Sequence, residues 1–507
     1  MKHSPISNMI SAALSKTIGI VGPFIIRTII IYKLGNEYVG LNSLFTSLLL
    51  VLSMTELGFG AALTYSMYRP VNEGNAIKLS ALLNYYKNIY RMIGITILLI
   101  GVFITPFIKY LINGEYPNSI NIFVLFIIFL VNTVLTYTPF TYKSSILIAN
   151  RRNDIVNIIQ SITQFLMYLF QVLALVVFGN YYAYALLMPF FAIVNNVFIN
   201  IATKHFYPDI IPNGKLRTIE RNSLFGKVKA LFIHRLAGVL IVAMDNVFVS
   251  AILGLVDLAL FTNYFYIVNA LNGMIEMIMS SVVSTIGNDL LNETDEENYT
   301  RLCMYSYLLC MGVGFLTICL FNMLHPFVSL WVGEKSALPA TTEILFCAYF
   351  YSWRIRSMGQ VYRDAAGMWK KDVLKSWLGI FLDLVLNFVL ISTIGINGAL
   401  ISTIVIMVVV FCPWETRIIS KELLHCKPGR YIRIIITNIL LTGIAMYLSS
   451  CILKYVTITN SLIELTARFC LSVVIAFIVL FLPTSRSKEF KKICTLITEN
   501  RKRINNE

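Results

Sequence analysis

The chain is predicted to be an all-α polytopic membrane protein, with about fourteen transmembrane helices in two six-helix repeats followed by a C-terminal helix pair. Three observations predict this. Of 507 residues, 57% are hydrophobic and only 13% charged, about half the charge share of an ordinary soluble domain. Apolar runs of about eighteen residues or more recur along the whole length, each long enough to cross a hydrocarbon layer roughly 30 Å thick. The chain also repeats itself. Leu34-Gly35 sets on Leu253-Gly254 at an offset of 219 (253 − 34), and Gly40-Leu41 then falls on Ala259-Leu260. The stretch Ala149 to Asp154 matches Gly367 to Asp372 at 218 (367 − 149). Two separate matches at nearly one offset indicate a duplicated unit.

Taken in order, the first half holds spans near 10–32, 43–65, 90–112, 120–142, 156–178 and 181–202. The second half holds spans near 230–252, 261–283, 303–328, 342–363, 373–394 and 397–415. A further pair lies near 432–453 and 461–482. The second span is interrupted by Glu56 and leaves through Gly58 and Gly60. Short breaks at Gly179 to Tyr182 and Gly395 to Gly398 suit tight antiparallel turns. The domains are then residues 1–202 and 230–415 as six-helix bundles, and 203–229 as a cytoplasmic linker. Residues 416–483 form an amphipathic connector with helices 13 and 14, and 484–507 a basic cytoplasmic tail. Lys215 to Lys229 of the linker suits an amphipathic helix lying on the headgroups, and Arg417 to Arg433 occupies the matching place after the second half. The first apolar run is too long for the h-region of a cleavable signal.

Orientation follows from the basic residues. Loops after even-numbered spans carry Arg69, Lys78, Lys87 and Arg91, then Lys143, Arg151 and Arg152, then Lys204 and the linker cluster. The opposite side carries only Lys33, Lys109, Lys335, Lys454 and Arg468. Both termini are therefore expected in the cytoplasm. The acidic loop Asp289 to Glu297 runs against the pattern, but acidic residues weigh little in this rule. The net charge of +15 sits in these short loops, so it fits anionic lipid headgroups rather than nucleic acid. All nine cysteines lie after residue 302, scattered singly, with no Cys pair or Cys/His cluster. Neither a disulfide framework, a metal site nor a cofactor is expected.

Several charges fall inside apolar spans, where each costs about 2.5–3.5 kcal/mol on insertion scales. Lys16 and Arg27 lie in the first span, 11 residues apart (27 − 16), which is three turns and one face. Arg235, beside His234 in the seventh span, is the repeat partner of Lys16 at an offset of 219 (235 − 16). Arg354 and Arg356 lie in the tenth span. These five cations are the candidate substrate-binding residues of a water-filled cavity. The carboxylates Glu56, Asp245, Glu276 and Asp383 are candidates for ion coupling or charge pairing within the bundle. A cavity lined by cations suits an anionic ligand, since Arg and Lys match phosphate oxygens with charge-assisted hydrogen bonds. The residues alone lead to an anion-handling polytopic transporter.

The run Leu34 to Asn75 (LGNEYVGLNSLF…LSMTELGFGAALTYSMYRPVNEGN), with Tyr85 to Gly94 after it, resembles the N-terminal half of bacterial polysaccharide transporters. These are the O-antigen and capsule repeat-unit flippases (Wzx-type) of the multidrug/oligosaccharidyl-lipid/polysaccharide (MOP) flippase superfamily. The resemblance implies a V-shaped pair of bundles working by alternating access in the bacterial inner membrane. It implies an undecaprenyl-diphosphate-linked oligosaccharide as substrate, coupling to a cation gradient (Na+ or H+) or to the membrane potential, and polymerase and glycosyltransferases as partners. Two readings within the superfamily compete: a lipid-linked peptidoglycan precursor flippase and a cation-coupled multidrug exporter. The exporter would usually stop at twelve spans and favour an acidic cavity. A polytopic glycosyltransferase or polymerase needs a substantial outer loop, and the outer loops here (Asn113 to Ser119, Gly333 to Pro339) are only a handful of residues. A purely structural assembly protein would leave the intramembrane charge unexplained.

Overall fold

The computed structural model describes residues 5–56, 59–453 and 460–495, and its regular structure in those residues is helical throughout. In chain order the first helices are α1 (Pro5–Lys33), α2 (Asn36–Leu52), α3 (Phe59–Asn72), α4 (Ala76–Ile104), α5 (Ile122–Leu135), α6 (Ser144–Ala149), α7 (Asn153–Val177) and α8 (Tyr181–Phe206). Then come α9 (Thr218–Ile252), α10 (Leu255–Asn292), α11 (Asp295–Val332), α12 (Ala340–Ile355), α13 (Ser357–Ala365), α14 (Val373–Ile394), α15 (Ile396–Val405) and α16 (Cys412–Arg417). The last are α17 (Gly429–Leu453), α18 (Ser461–Ala476) and α19 (Leu482–Thr484).

The all-helical membrane fold is as expected, but the count of continuous spans differs. Ten helical segments among the described residues are long and apolar enough to cross a membrane. The other four expected spans are divided or short. The second breaks into α2 and α3, the fourth into α5 and α6, and the tenth into α12 and α13. In α9 the described apolar stretch Gly238–Ile252 is too short to be counted among the ten. Pro139 explains the break after α5, because it has no N–H to continue the ladder. Arg356 marks the break after α12, with a backbone (φ −87°, ψ −6°) at the edge of the helical region.

The duplication extends to where helices begin. The starts of α4 and α11 are 219 apart (295 − 76), those of α5 and α12 are 218 apart (340 − 122), and those of α8 and α15 are 215 apart (396 − 181). The two turns before α2 and α10 share one unusual backbone, with Gly35 at φ 110° and Gly254 at φ 108°. Only glycine adopts such a conformation without strain. The interruption repeats as well: Thr138 falls on Arg356 at 218 (356 − 138).

Helix packing divides the chain into two compact units, residues up to Ala259 and from Leu260 onward. In the first unit α1 lies on α7, α7 and α5 on α8, and α2 on α9. Gly22 lets α1 approach α7, since a Cβ there would sit 2.1 Å from the ring of Tyr168. Gly40 does the same for α2, where a Cβ would meet the carbonyl oxygen of Leu255 at 2.2 Å. Polar groups staple α9 to α2 and to the loop after α4. Asn246 donates to Ser47 Oγ (2.8 Å), and the Asn113 backbone N–H donates to the carbonyl of Ser250 (3.0 Å). In the second unit α11 is the central post, packed on α12, α17 and α18 around Ile318, Ala445, Ile475 and Leu480. Large apolar side chains such as Phe103, Phe178 and Phe381 face outward, as a bundle solvated by lipid requires.

Helices α10 and α11 have 38 residues each, about 57 Å at 1.5 Å per residue, well beyond a roughly 30 Å core. Their junction is the acidic loop. Thr294 caps α11 and forms a capping box with Glu297, while Arg301 pairs with Asp289 (2.6 Å) and with Glu293. Asp289, Glu293 and Glu297 of this loop are thus engaged in capping and pairing. The second part of the expected linker is also helical: α9 starts at Thr218 and runs on through the seventh span without a break.

Candidate functional site

On α1, Lys16 is exposed and Arg27 half-buried. Arg27 Nη2 donates to the carbonyl of Ala259 at 3.4 Å. Asp245 is buried in α9, next to the Asn246 that binds Ser47. The side chains of Arg235, His234 and Glu56 lie outside the described residues.

In the second unit the neighbouring cations Arg354 and Arg356 part company. Arg354, buried on α12, donates through Nε to Asn272 Oδ1 of α10 at 2.5 Å. Glu276, one turn further along α10 and exposed, lies within electrostatic reach of it. Arg356 turns instead into a buried ion-pair network. Its Nη1 donates to Glu415 Oε1 of α16 at 2.7 Å, and Lys375 Nζ of α14 donates to the same oxygen at 2.7 Å. Asp372 accepts from Lys375 (2.9 Å) and from Arg363, which also binds Asp364 at 2.8 Å. The Phe411 ring lies between two of the cations, 5.1 Å from the Arg356 guanidinium and 5.0 Å from Lys375 Nζ.

The buried part of this network, leaving aside the half-exposed Asp364, holds three cations and two acids, all under 5% exposed. Such charges persist away from water only when each has partners. It fixes the interrupted tenth span against α14 and α16. Asp383 of α14, buried, accepts from Asn387 at 3.2 Å, and Ser402 of α15 donates to Asn387. This second polar chain links α14 to α15. Among the described residues no group of three or more His, Cys, Asp or Glu side chains could hold a metal ion.

The structure therefore brings Arg354 to Asn272 and Arg356 to Glu415. It brings in Arg363, which continues the Arg356 face of the tenth span at i+7, and adds Asp372, Lys375 and Glu415, which the hydropathy pattern did not single out. One signal pointed there: Asp372 closes the repeated stretch that begins at Gly367.

The described residues form a multi-pass helical bundle with a duplicated plan, and comparison with known proteins identifies its family. A family profile described as "Polysaccharide biosynthesis protein" matches residues 6–284, more than half of the chain, and the chain belongs to that family. Its fold is similar to "Lipid II flippase MurJ, inward closed conformation", with TM-score 0.65 and 14% identity over 93% of this chain and 98% of that one. It is also similar to an inward-facing multidrug resistance MATE family transporter of the MOP superfamily, with TM-score 0.62 and 13% identity over 82% and 98%. The Vibrio cholerae MATE transporter VcmN in the bent form matches with TM-score 0.52 and 14% identity over 84% and 99%. No curated protein matches the sequence at a significant level.

Proposed function

We propose that this flippase carries an undecaprenyl-diphosphate-linked oligosaccharide across the bacterial inner membrane, from the cytoplasmic to the outer leaflet, with both termini in the cytoplasm. The observation that carries the reading is Lys16. It is an exposed cation within the membrane-crossing part of α1, one face with Arg27, in the segment matched by the polysaccharide biosynthesis family. Lys16, Arg27, Arg235 and Arg354 are assigned to the diphosphate and glycan, and the acyl tail stays in lipid. Arg356 is assigned to holding the shape of the tenth span. Asp383 with Asn387, and Asp245 on α9, are assigned to the coupling Na+ or H+.

The test is complementation of a deletion strain. Arg235→Ala and Arg354→Ala should abolish surface polysaccharide while the protein remains inserted in the membrane. Intact polymer in both variants would remove the anion-handling reading. A second reading, a lipid-linked peptidoglycan precursor flippase, is favoured by the 93% coverage against a Lipid II flippase, where the MATE transporters cover 82–84%. Rescue of a strain lacking its peptidoglycan precursor flippase would select that reading over the first.

A further inference from the structure

In the second unit Arg356, Arg363 and Lys375 meet two buried acids. The matching region of the first unit holds cations and keeps a counterpart of only one of these acids. Lys143 ends the short turn Thr141–Lys143 after α5; it is 8% exposed, and its Nζ lies 2.6 Å from Asn200 Oδ1 of α8. Asn200 occupies the place of Glu415, 215 residues on (415 − 200), the offset that also relates α8 to α15. The counterpart of Asp372 is Asp154, 218 residues earlier (372 − 154), and Asp154 pairs with Arg152 at 3.0 Å. Lys204 of α8 and Lys87 of α4 are close enough to repel Lys143. Among the described residues no carboxylate forms an ion pair with Lys143, Lys87 or Lys204. Burial first, and these two ammonium groups second, hold the Lys143 amine below its usual range. A buried ammonium facing a neutral amide and two like charges is costly, and one oxyanion seated among the three would relieve Lys143 and pair with the exposed Lys87 and Lys204.

We propose that Lys143, Lys87 and Lys204 form a phosphate-binding site between α4, the Thr141–Lys143 turn and α8. Its ligand is a lipid phosphoryl group, on the side that the Lys/Arg bias assigns to the cytoplasm. Two sources share that chemistry: the headgroup of an anionic phospholipid, and the diphosphate of a polyprenyl-linked sugar. Only the second rests on the function proposed above. In the first case the site anchors the unit to its leaflet. In the second it captures the substrate before the cations of α1 receive it.

The experiment uses the full-length protein in phosphatidylcholine nanodiscs and reads the melting temperature and probe binding, not transport. Farnesyl diphosphate is titrated in one arm; phosphatidylglycerol replaces part of the phosphatidylcholine in the other. Lys143→Met removes the buried charge, and Asn200→Glu supplies the carboxylate that the second unit has. Wild-type protein should be stabilised by at least one probe. Both variants should weaken binding of that probe about tenfold or more, the loss of one charge-assisted contact. Stabilisation by phosphatidylglycerol alone assigns the headgroup; stabilisation by farnesyl diphosphate assigns the polyprenyl diphosphate. No stabilisation by either probe, or an equal response in wild type and Asn200→Glu, overturns the site. Neither of those results bears on flipping, which the assay does not measure.

Discussion

Glu415 shows how residue-scale charge is managed in this chain. One carboxylate oxygen accepts from Arg356 and Lys375 at 2.7 Å each, and Arg363 lies 3.6 Å away. Removing one member of a buried pair leaves the others uncompensated, which costs about 3–5 kcal/mol. Glu415→Gln should therefore lower the detergent melting temperature sharply, and an unchanged melt would contradict the network. Lys16 behaves in the opposite way. It is exposed, so Lys16→Ala should change stability by no more than about 0.5 kcal/mol while reducing polysaccharide export. Equal export by wild type and variant would discharge Lys16 from any role with substrate. The periodicity of Lys16 and Arg27 was readable directly, because both sit on one helix. The partner of Arg356 was not, because Glu415 lies 59 residues away and only tertiary packing brings it there.

At the scale of elements, the sequence located the helices and the interruption of the second span at Glu56, but not those of the fourth and tenth spans. A window average passes over Pro139 or Arg356 because apolar residues continue on both sides of the break. It also began the seventh span at residue 230, where the apolar content rises, whereas backbone hydrogen bonding carries α9 back to Thr218. The repeat read from Leu34-Gly35 and Leu253-Gly254 was the more informative signal. Those turns share one glycine conformation, and the interruptions of the fourth and tenth spans coincide at its offset. The close approach of α2 to the turn before α10 is testable. Because the atom facing Gly40 is a backbone carbonyl 2.2 Å from an added Cβ, Gly40→Ala forces the helices apart, costing about 1–3 kcal/mol. Thermal melting of purified Gly40→Ala beside Gly19→Ala, where the added Cβ meets nothing within 4 Å, checks this. A similar loss in both would show that the effect is helix propensity rather than contact.

For the whole molecule, orientation and transport are the levels at which the account stands. Single-cysteine labelling at Ser119 and Lys492, in a background without the native cysteines, reads the sidedness. Ser119 should react with an impermeant reagent from outside and Lys492 only after permeabilisation. An externally reactive tail would reverse the topology. The most direct measurement of the central claim is leaflet transfer in proteoliposomes of an undecaprenyl-diphosphate-linked oligosaccharide, scored by its accessibility to an added glycosidase. Wild-type protein should move the lipid into the far leaflet, and Arg354→Ala, correctly inserted, should do so about tenfold more slowly or not at all. Equal rates for wild type, Arg354→Ala and protein-free liposomes would contradict a flippase that grips its cargo through intramembrane cations.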